Sequence, residues 1–393
     1  MSAPKKGTVS LAFRAPGAVG WRELVAEDAA DNAKEEGARK AKNELKNVLL
    51  ASLQMQHLVV LAGSGCSQSA GGPSMRDLWI SAVGEEPTAD ARATAGKVNH
   101  DLSDQNIETL LSRVEAFLQV NQDEDVSSFL DSSKQVILDR CSAFLDPKKL
   151  QIHKTFLHRL SRRRVRDQRL RMFTTNYDLC FERAAAELGG VALDGFSFTA
   201  PRRYDRRFFG YDIIRRSRSG DDLGHYLEGV FLLYKLHGSV NWARAQEGTI
   251  YENDKPAPAE ACLIYPARGK YQQSFVQPHL ESMAQYLAAV REPNTCLLVV
   301  GFGFNDDHLA EPLLAAVQSN PHLRLIVADS RAQSNATNAN RYWKRFFELS
   351  GLGEDVWFIN ASFADFAQMV PDLKSLTPAD TLMRAIKGAT REP

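Results

Sequence analysis

The chain has 393 residues, 44% of them hydrophobic and 24% charged, which is an ordinary globular composition with room for one large domain or a core plus a sizeable insertion. Lys+Arg and Asp+Glu both total 48, and that balance argues against a protein whose main business is wrapping nucleic acid, while leaving a local basic surface open. No apolar run approaches the ~18–20 residues of a membrane span, no apolar secretory core follows the N-terminus, and the five cysteines are scattered without C-x-x-C spacing. A disulfide framework and a structural zinc site are therefore not expected, and a reducing cytoplasm is the expected location.

Residues 1–20 are rich in Gly, Pro and Ala and read as an arm or irregular lead-in. Residues 22–56 read as helical, with Leu45, Val48, Leu49, Ser52 and Leu53 on one face at 3.6 spacing. A buried strand is predicted at His57–Ala62, followed by the glycine-rich stretch Gly63-Ser64-Gly65-Cys66-Ser67-Gln68-Ser69-Ala70-Gly71-Gly72-Pro73-Ser74-Met75-Arg76. To about residue 165 there is little strand character. Ile107, Leu110, Leu111, Val114, Phe117 and Leu118 recur at helical spacing; Val136, Ile137 and Phe144 mark a second helix, and Ile152, Phe156, Leu157 and Leu160 a third. Strands return at 171–175, 231–236, 296–300, 325–328 and 356–359. Short apolar runs separated by helix-length segments are the pattern of a parallel sheet buried on both faces. The predicted class is α/β, organised as an N-terminal arm and helix (1–50), a core (51–80 and 166–393) and an inserted helical module (81–165).

Four strand ends carry polar residues: the glycine loop, Thr174-Thr175-Asn176-Tyr177-Asp178, Leu236-His237-Gly238-Ser239 and Gly301-Phe302-Gly303-Phe304-Asn305-Asp306-Asp307-His308. Ligands of open α/β sheets sit outside the carboxyl ends of the strands, so four such ends converging there would make one site. Glycine at a strand end lets backbone N–H groups approach an anion. Each segment also has a plain structural reading: a tight turn, an N-cap at Asn176 or at Asn305–Asp307, a turn at His237-Gly238. Cys66, inside the glycine loop, reads either as a thiol acidified at a helix N-terminus or as a spacer.

In this order the four segments resemble the motifs of the sirtuin superfamily. Gly63, Gly65, Ser67, Ser69, Gly71, Pro73 and Arg76 stand in register with GAGxSxxSGIPxFR, and Ser64, Gly72, Ser74 and Met75 depart from it. Thr174–Asp178 resembles TQNxD, His237-Gly238 resembles HG, and Gly301–Phe304 stands where the family has GTSL, without its hydroxyls. The resemblance covers roughly residues 50–365. It implies a Rossmann-like, mostly parallel sheet that binds NAD+. The two cysteine pairs of the deacylases' zinc ribbon do not occur between Gly238 and Gly301, so no zinc ribbon and no zinc are expected. The early helical insertion and the Asn305–His308 segment resemble the bacterial antiphage-defence branch, whose members are typically NAD+ glycohydrolases, some paired with a HerA-type ATPase.

By that resemblance the substrate is NAD+ and the scissile bond is nicotinamide–ribose, the outcome being NAD+ depletion in infected cells. Gly63, Ser64 and Gly65 would cradle the pyrophosphate, with Gly301 and Gly303 opposite. Asn176 would position the ribose hydroxyls and the water, Asp178 would contact the nicotinamide carboxamide, and His237 would be the general base. Ser67 and Arg76 would line the nicotinamide end, Asp329 would accept from the adenosine ribose, and Asn360 would sit at the adenine side. Homo-oligomerisation or a HerA-type partner would gate activity, with no membrane involvement and direct nucleic-acid binding left open. The rival readings are a protein deacylase, a non-catalytic sensor of NAD+ or an ADP-ribose derivative, and a nucleic-acid enzyme. The last draws on Arg159, Arg162, Arg163, Arg164, Arg166, Arg169 and Arg171, with Arg202, Arg203, Arg206 and Arg207; such runs are ordinarily solvated faces or docking surfaces.

Overall fold

The computed structural model describes residues 10–25, 32–163, 167–214, 226–265, 276–338 and 340–372. Arg164 and Arg166, and the first nine residues of the expected arm, lie outside the described residues.

Strand β1 (Ala12–Arg14) and the two-residue β2 (Arg22–Glu23) precede helix α1 (Asn32–Leu53). The helix expected from residue 22 thus starts later, because Arg22 and Glu23 pair antiparallel with β1. Strand β3 (His57–Ala62) runs into a 3-10 helix (Ser64–Ala70), then α2 (Met75–Val83), α3 (Ala89–Lys97), α4 (Ile107–Leu118), α5 (Glu124–Ala143) and α6 (Gln151–Leu160). Next come β4 (Leu170–Thr174), α7 (Cys180–Glu187), β5 (Val191–Leu193), β6 (Val230–Lys235), β7 (Gly238–Arg244), β8 (Ile250–Glu252) and β9 (Ala261–Leu263). The chain continues with α8 (His279–Ala289), β10 (Thr295–Val300), α9 (Asp307–Ser319), β11 (Leu323–Asp329), α10 (Ala332–Asn338), α11 (Arg341–Gly351), β12 (Val356–Asn360) and α12 (Phe363–Met369).

Among the described residues, nine strands form one sheet in the order β2-β1-β12-β11-β10-β3-β4-β6-β5. From β12 to β5 all neighbours are parallel; only β1 and β2 add antiparallel, on the β12 edge. All six apolar runs are strands of this sheet, so the α/β, mostly parallel class is observed. Burial on both faces follows from the two-residue period. Leu58, Val60 and Ala62 join Leu298 and Val300 under α1, α6, α7 and α12. Val59 and Leu61 join Leu297 and Val299 under α8, α9 and α11.

A third core belongs to the helical region. Leu78 and Trp79 of α2 pack with Leu110, Leu111 and Val114 of α4 and with Val126 and Ile137 of α5. This core also takes Val240, Leu263 and Tyr265 from the small antiparallel sheet β8-β7-β9 and the residues after it. By packing, the helical unit is α2–α5. Helix α6 places Phe156, Leu157 and Leu160 in the main core, because its apolar face meets α7 and α12.

From β3 the sheet grows through β4 and β6 in one direction and through β10, β11 and β12 in the other. The order reverses between the adjacent strands β3 and β10, and in sheets of this kind ligands bind at the carboxyl ends of the strands at such a point.

Candidate functional site

The glycine loop is shaped first by its fit against the loop after β10. Gly63 N–H donates to the Val300 carbonyl at 3.0 Å, Gly65 N–H to Gly301 at 3.0 Å, and Gly301 N–H to Ala328 at 3.1 Å. A Cβ on Gly63 would lie 2.5 Å from the Gly301 oxygen, and one on Gly65 2.7 Å from Gly301 Cα. Gly301 itself has φ +59° and faces the backbone of Gly65 and Cys66. The expectation that the N–H groups of Gly63 and Gly65 point at an anion is corrected: they are committed to the neighbouring loop, and glycine is required there because two backbones nearly touch. Cys66 is fully buried with its thiol on the Val300 carbonyl, and burial pushes that thiol up, the opposite of an acidified nucleophile.

After β4, Asn176 is held by its own amide. Nδ2 donates to the Gly63 carbonyl at 3.0 Å and to Ser67 Oγ at 2.7 Å. Ser67 Oγ in turn donates to Asp178 Oδ2 at 2.5 Å, and Asp178 Oδ1 accepts from Cys180 N–H at 3.0 Å. With both Nδ2 hydrogens committed, the amide oxygen of Asn176 is the atom left to accept from a ligand hydroxyl or water. Asp178 thus does double duty, capping α7 and orienting Ser67.

After β6, His237 is buried, and Gly238 takes φ +84° with the Cys262 carbonyl oxygen in the space a Cβ would fill. That glycine lets β7 turn back against β9, while Ile264 N–H donates to the His237 carbonyl at 2.9 Å. The last residue of β6, Lys235, is buried and was missed by sequence reasoning. Its ammonium donates to the Tyr177 carbonyl at 3.2 Å, to the Asp178 carbonyl, and to Glu182 at 2.9 Å. It ties the His237 strand to the Asn176 loop. A buried charge in an otherwise apolar strand was the available signal.

After β10, Phe302 and Phe304 are buried edge to face, 5.4 Å between ring centres. Phe304 adopts φ +55°, a strained state for an aromatic residue, and Asn340 Nδ2 holds the carbonyls of Gly303 and Phe304 at 3.1 and 2.9 Å. Trp343 Nε1 also donates to Gly303 O at 3.2 Å. Asp306 occupies the N-cap position of α9, yet its side chain makes no capping hydrogen bond. It lies instead with His237 and His308, whose Nε2 atoms are 3.1 Å apart. In sequence, Asp306 and His308 fall in a polar strand end that reads either as part of a site or as a helix-capping turn.

These loops border a cleft of about 160 Å³. Ser64, Ser67, Asn176, Asp178, His237, Gly301 and Gly303 line it, together with Asp306 and, from the helical unit, Glu108. Three carboxylates face the space, and among the described residues no Lys or Arg lines it. Gly63 and Gly65 lie behind this surface. Arg76 is exposed on the first turn of α2 and does not line the cleft. Asp329 is buried at the end of β11, its carboxyl raised by that burial and accepting from Arg331 N–H at 2.7 Å; it too is outside the lining. Asn360 donates to Ser10 O and accepts from Gln333 N–H, so it anchors the lead-in to β1.

Five arginines of the two clusters turn inward, while Arg203, Arg206 and Arg207 are exposed. Arg159 donates to the carbonyls of Ala367, Gln368 and Val370 at the end of α12. Arg163 is buried on the carbonyls of Leu53, Met55 and Gln56. Arg169 pairs with Asp212, Arg171 with Glu292, and Arg202 with Asp194 and Glu252. These five are internal staples rather than a solvated or docking face. Among the described residues no helix is long and apolar enough to cross a membrane.

A family model described as a SIR2-like domain matches residues 170–347, a little under half of the chain. The match takes in Asn176, Asp178, His237, Gly301, Gly303, Asp306 and His308 and does not reach the glycine loop. Among solved structures, the chain is similar to a Sir2 homologue in complex with NAD, at 13% identity over 88% of this chain and 94% of that one, with a TM-score of 0.43. It is also similar to a mutant Sir2 homologue in complex with ADP-ribose, at 12% identity over 88% and 98%, with a TM-score of 0.41. No curated protein matches the chain.

Proposed function

We propose that the cleft hydrolyses NAD+ to nicotinamide and ADP-ribose. The observation that carries this reading is the pairing, in one acidic cleft, of an immobilised Asn176 with a buried His237, beside Glu108, Asp178 and Asp306 and without a lining cation among the described residues. Breaking the nicotinamide–ribose bond develops positive charge on the ribose, and an acidic cleft favours that charge. In the proposed step the C1′–N bond breaks and its electron pair neutralises the pyridinium nitrogen. A water held by Asn176 Oδ1 forms the new C–O bond, and its proton passes to His237. The phosphates would meet main-chain donors of Ser64, Phe302 and Gly303, since Gly63, Gly65 and Gly301 are engaged elsewhere. The match to a SIR2-like domain over 170–347 supports NAD+ as the substrate. From the sequence resemblance we add an antiviral, NAD+-depleting role gated by self-assembly or a HerA-type ATPase.

The test is nicotinamide release from NAD+ by wild type, Asn176→Ala and His237→Ala, each alone and assembled with a HerA-type ATPase. Release by wild type and its loss in both variants is expected. No release by wild type in any assembly overturns the reading, and tight NAD+ binding without turnover would replace it with a sensor.

A further inference from the structure

We propose that His237, Asp306 and His308 form a binding site for one divalent first-row transition-metal ion. One ligand atom from each lies within 4.8 Å of the others. Two imidazole nitrogens bound to a tetrahedral ion at 2.0–2.1 Å would be about 3.3 Å apart. The two Nε2 atoms stand at 3.1 Å, so a shift of a few tenths of an ångström admits the ion. The ligands come from two strand ends, His237 after β6 and the Asp306/His308 pair at the start of α9, so the folded sheet assembles them. Both imidazoles are buried, and the carboxylate is not used as a helix cap. Asp306 and His237 line the cleft, which leaves a fourth coordination position open to it. Two imidazoles and a carboxylate suit zinc or ferrous iron better than magnesium or calcium.

An ion bound by both Nε2 atoms takes the place of the contact between them. Metal on His237 Nε2 also removes the lone pair that a general base needs. Resting on the proposed NAD+ hydrolysis, the ion is therefore an inhibitor of the cleft.

The binding arm uses Zn2+ alone, titrated calorimetrically into chelator-stripped full-length protein. One ion per chain is expected for wild type. Asp306→Ala and His308→Ala should bind at least 10-fold more weakly, and His308→Cys, which restores a ligand, should recover tight binding. Equal binding by wild type and both alanine variants, or no binding by wild type, overturns the site. Circular dichroism identifies any variant that fails to fold, and His308→Cys then decides the matter: tight Zn2+ binding supports the site and its absence overturns it. The second arm follows nicotinamide release as Zn2+ is added, where inhibition of wild type is expected. A protein that binds Zn2+ and, stripped of metal, releases no nicotinamide keeps the site and loses the hydrolysis reading; one that releases nicotinamide and binds no Zn2+ does the reverse.

Discussion

The two walls of the cleft are built on different principles. On the β3–β4 wall, Asn176, Ser67, Asp178 and the Gly63 carbonyl form a closed chain of hydrogen bonds in which each donor has a fixed partner. On the β6–β10 wall, His237 faces His308 through two nitrogens whose donor and acceptor roles depend on the tautomer, and Asp306 stands beside them. One wall has fixed donors and acceptors; the other has roles that can exchange. A site that must hold a ribose still while moving a proton needs both, and a pure binding module would need only the first.

The largest effect should come from the fixed wall. Asn176→Ala removes the side chain that offers a preset acceptor from that hydrogen-bonded chain, and NAD+ cleavage is expected to fall about 10³-fold, a barrier rise of about 4 kcal/mol. Single-turnover nicotinamide release checks it. Unchanged turnover would mean that the fixed wall only frames the cleft.

Lys235 joins the two walls, so its removal should be felt in stability next. Lys235→Met leaves Glu182 without its ammonium partner, a carboxyl that burial already raises. A loss of about 3 kcal/mol is expected, with part regained in Lys235→Met/Glu182→Leu, since removing both charges avoids the unpaired one. Urea unfolding of the two variants measures this. Equal loss in both would make the lysine's carbonyl contacts, rather than the ion pair, the link between the walls.

A smaller effect separates the two meanings of the glycine loop. Gly65→Ala places a methyl 2.7 Å from Gly301 Cα, so loop packing predicts a loss of about 2 kcal/mol with no ligand present. A lower urea midpoint at unchanged slope is the expected result. Full stability with impaired NAD+ binding would return the loop to a phosphate cradle.

The contrast between the walls also marks what the sequence could reveal. Buried parallel strands announce themselves as apolar runs, so all six central strands and their polar ends were legible, and with them Asn176, Asp178 and His237. The small sheet was not legible: β8 lies in a polar stretch, and only pairing with β7 makes it a strand. The roles of Asp306 and His308 were hidden because an Asn-Asp-Asp run before a helix reads as a cap, and only the folded sheet brings His237 opposite. The committed N–H groups of Gly63 and Gly65 were hidden for the same reason, since their partners are more than two hundred residues away. Arginines that staple distant carbonyls look in sequence like any charged surface.

Each wall also rests on a buried histidine that takes no part in the cleft, and these give the smallest effect. His153 of α6 lies against the edges of Phe181 and Phe363, and neither ring nitrogen has a hydrogen-bond partner. His279 of α8 lies behind Gly238 and Cys262 on the other wall. Burial pushes both imidazoles down to about 4. The folded state therefore favours the neutral ring, and the unfolded chain, near 6.5, takes up the proton first. Their contribution is complete above about pH 6.5 and is lost as the pH falls from there toward 4, at about 1 kcal/mol each between pH 7.5 and 5.5. His153→Leu should remove its share of that slope while leaving His279's, so the variant loses less stability than wild type over this interval. Urea midpoints at the two pH values check it. Identical slopes would show that His153 already shares its proton with the network around Asp178, and the β3–β4 wall would then be less fixed than its hydrogen bonds make it.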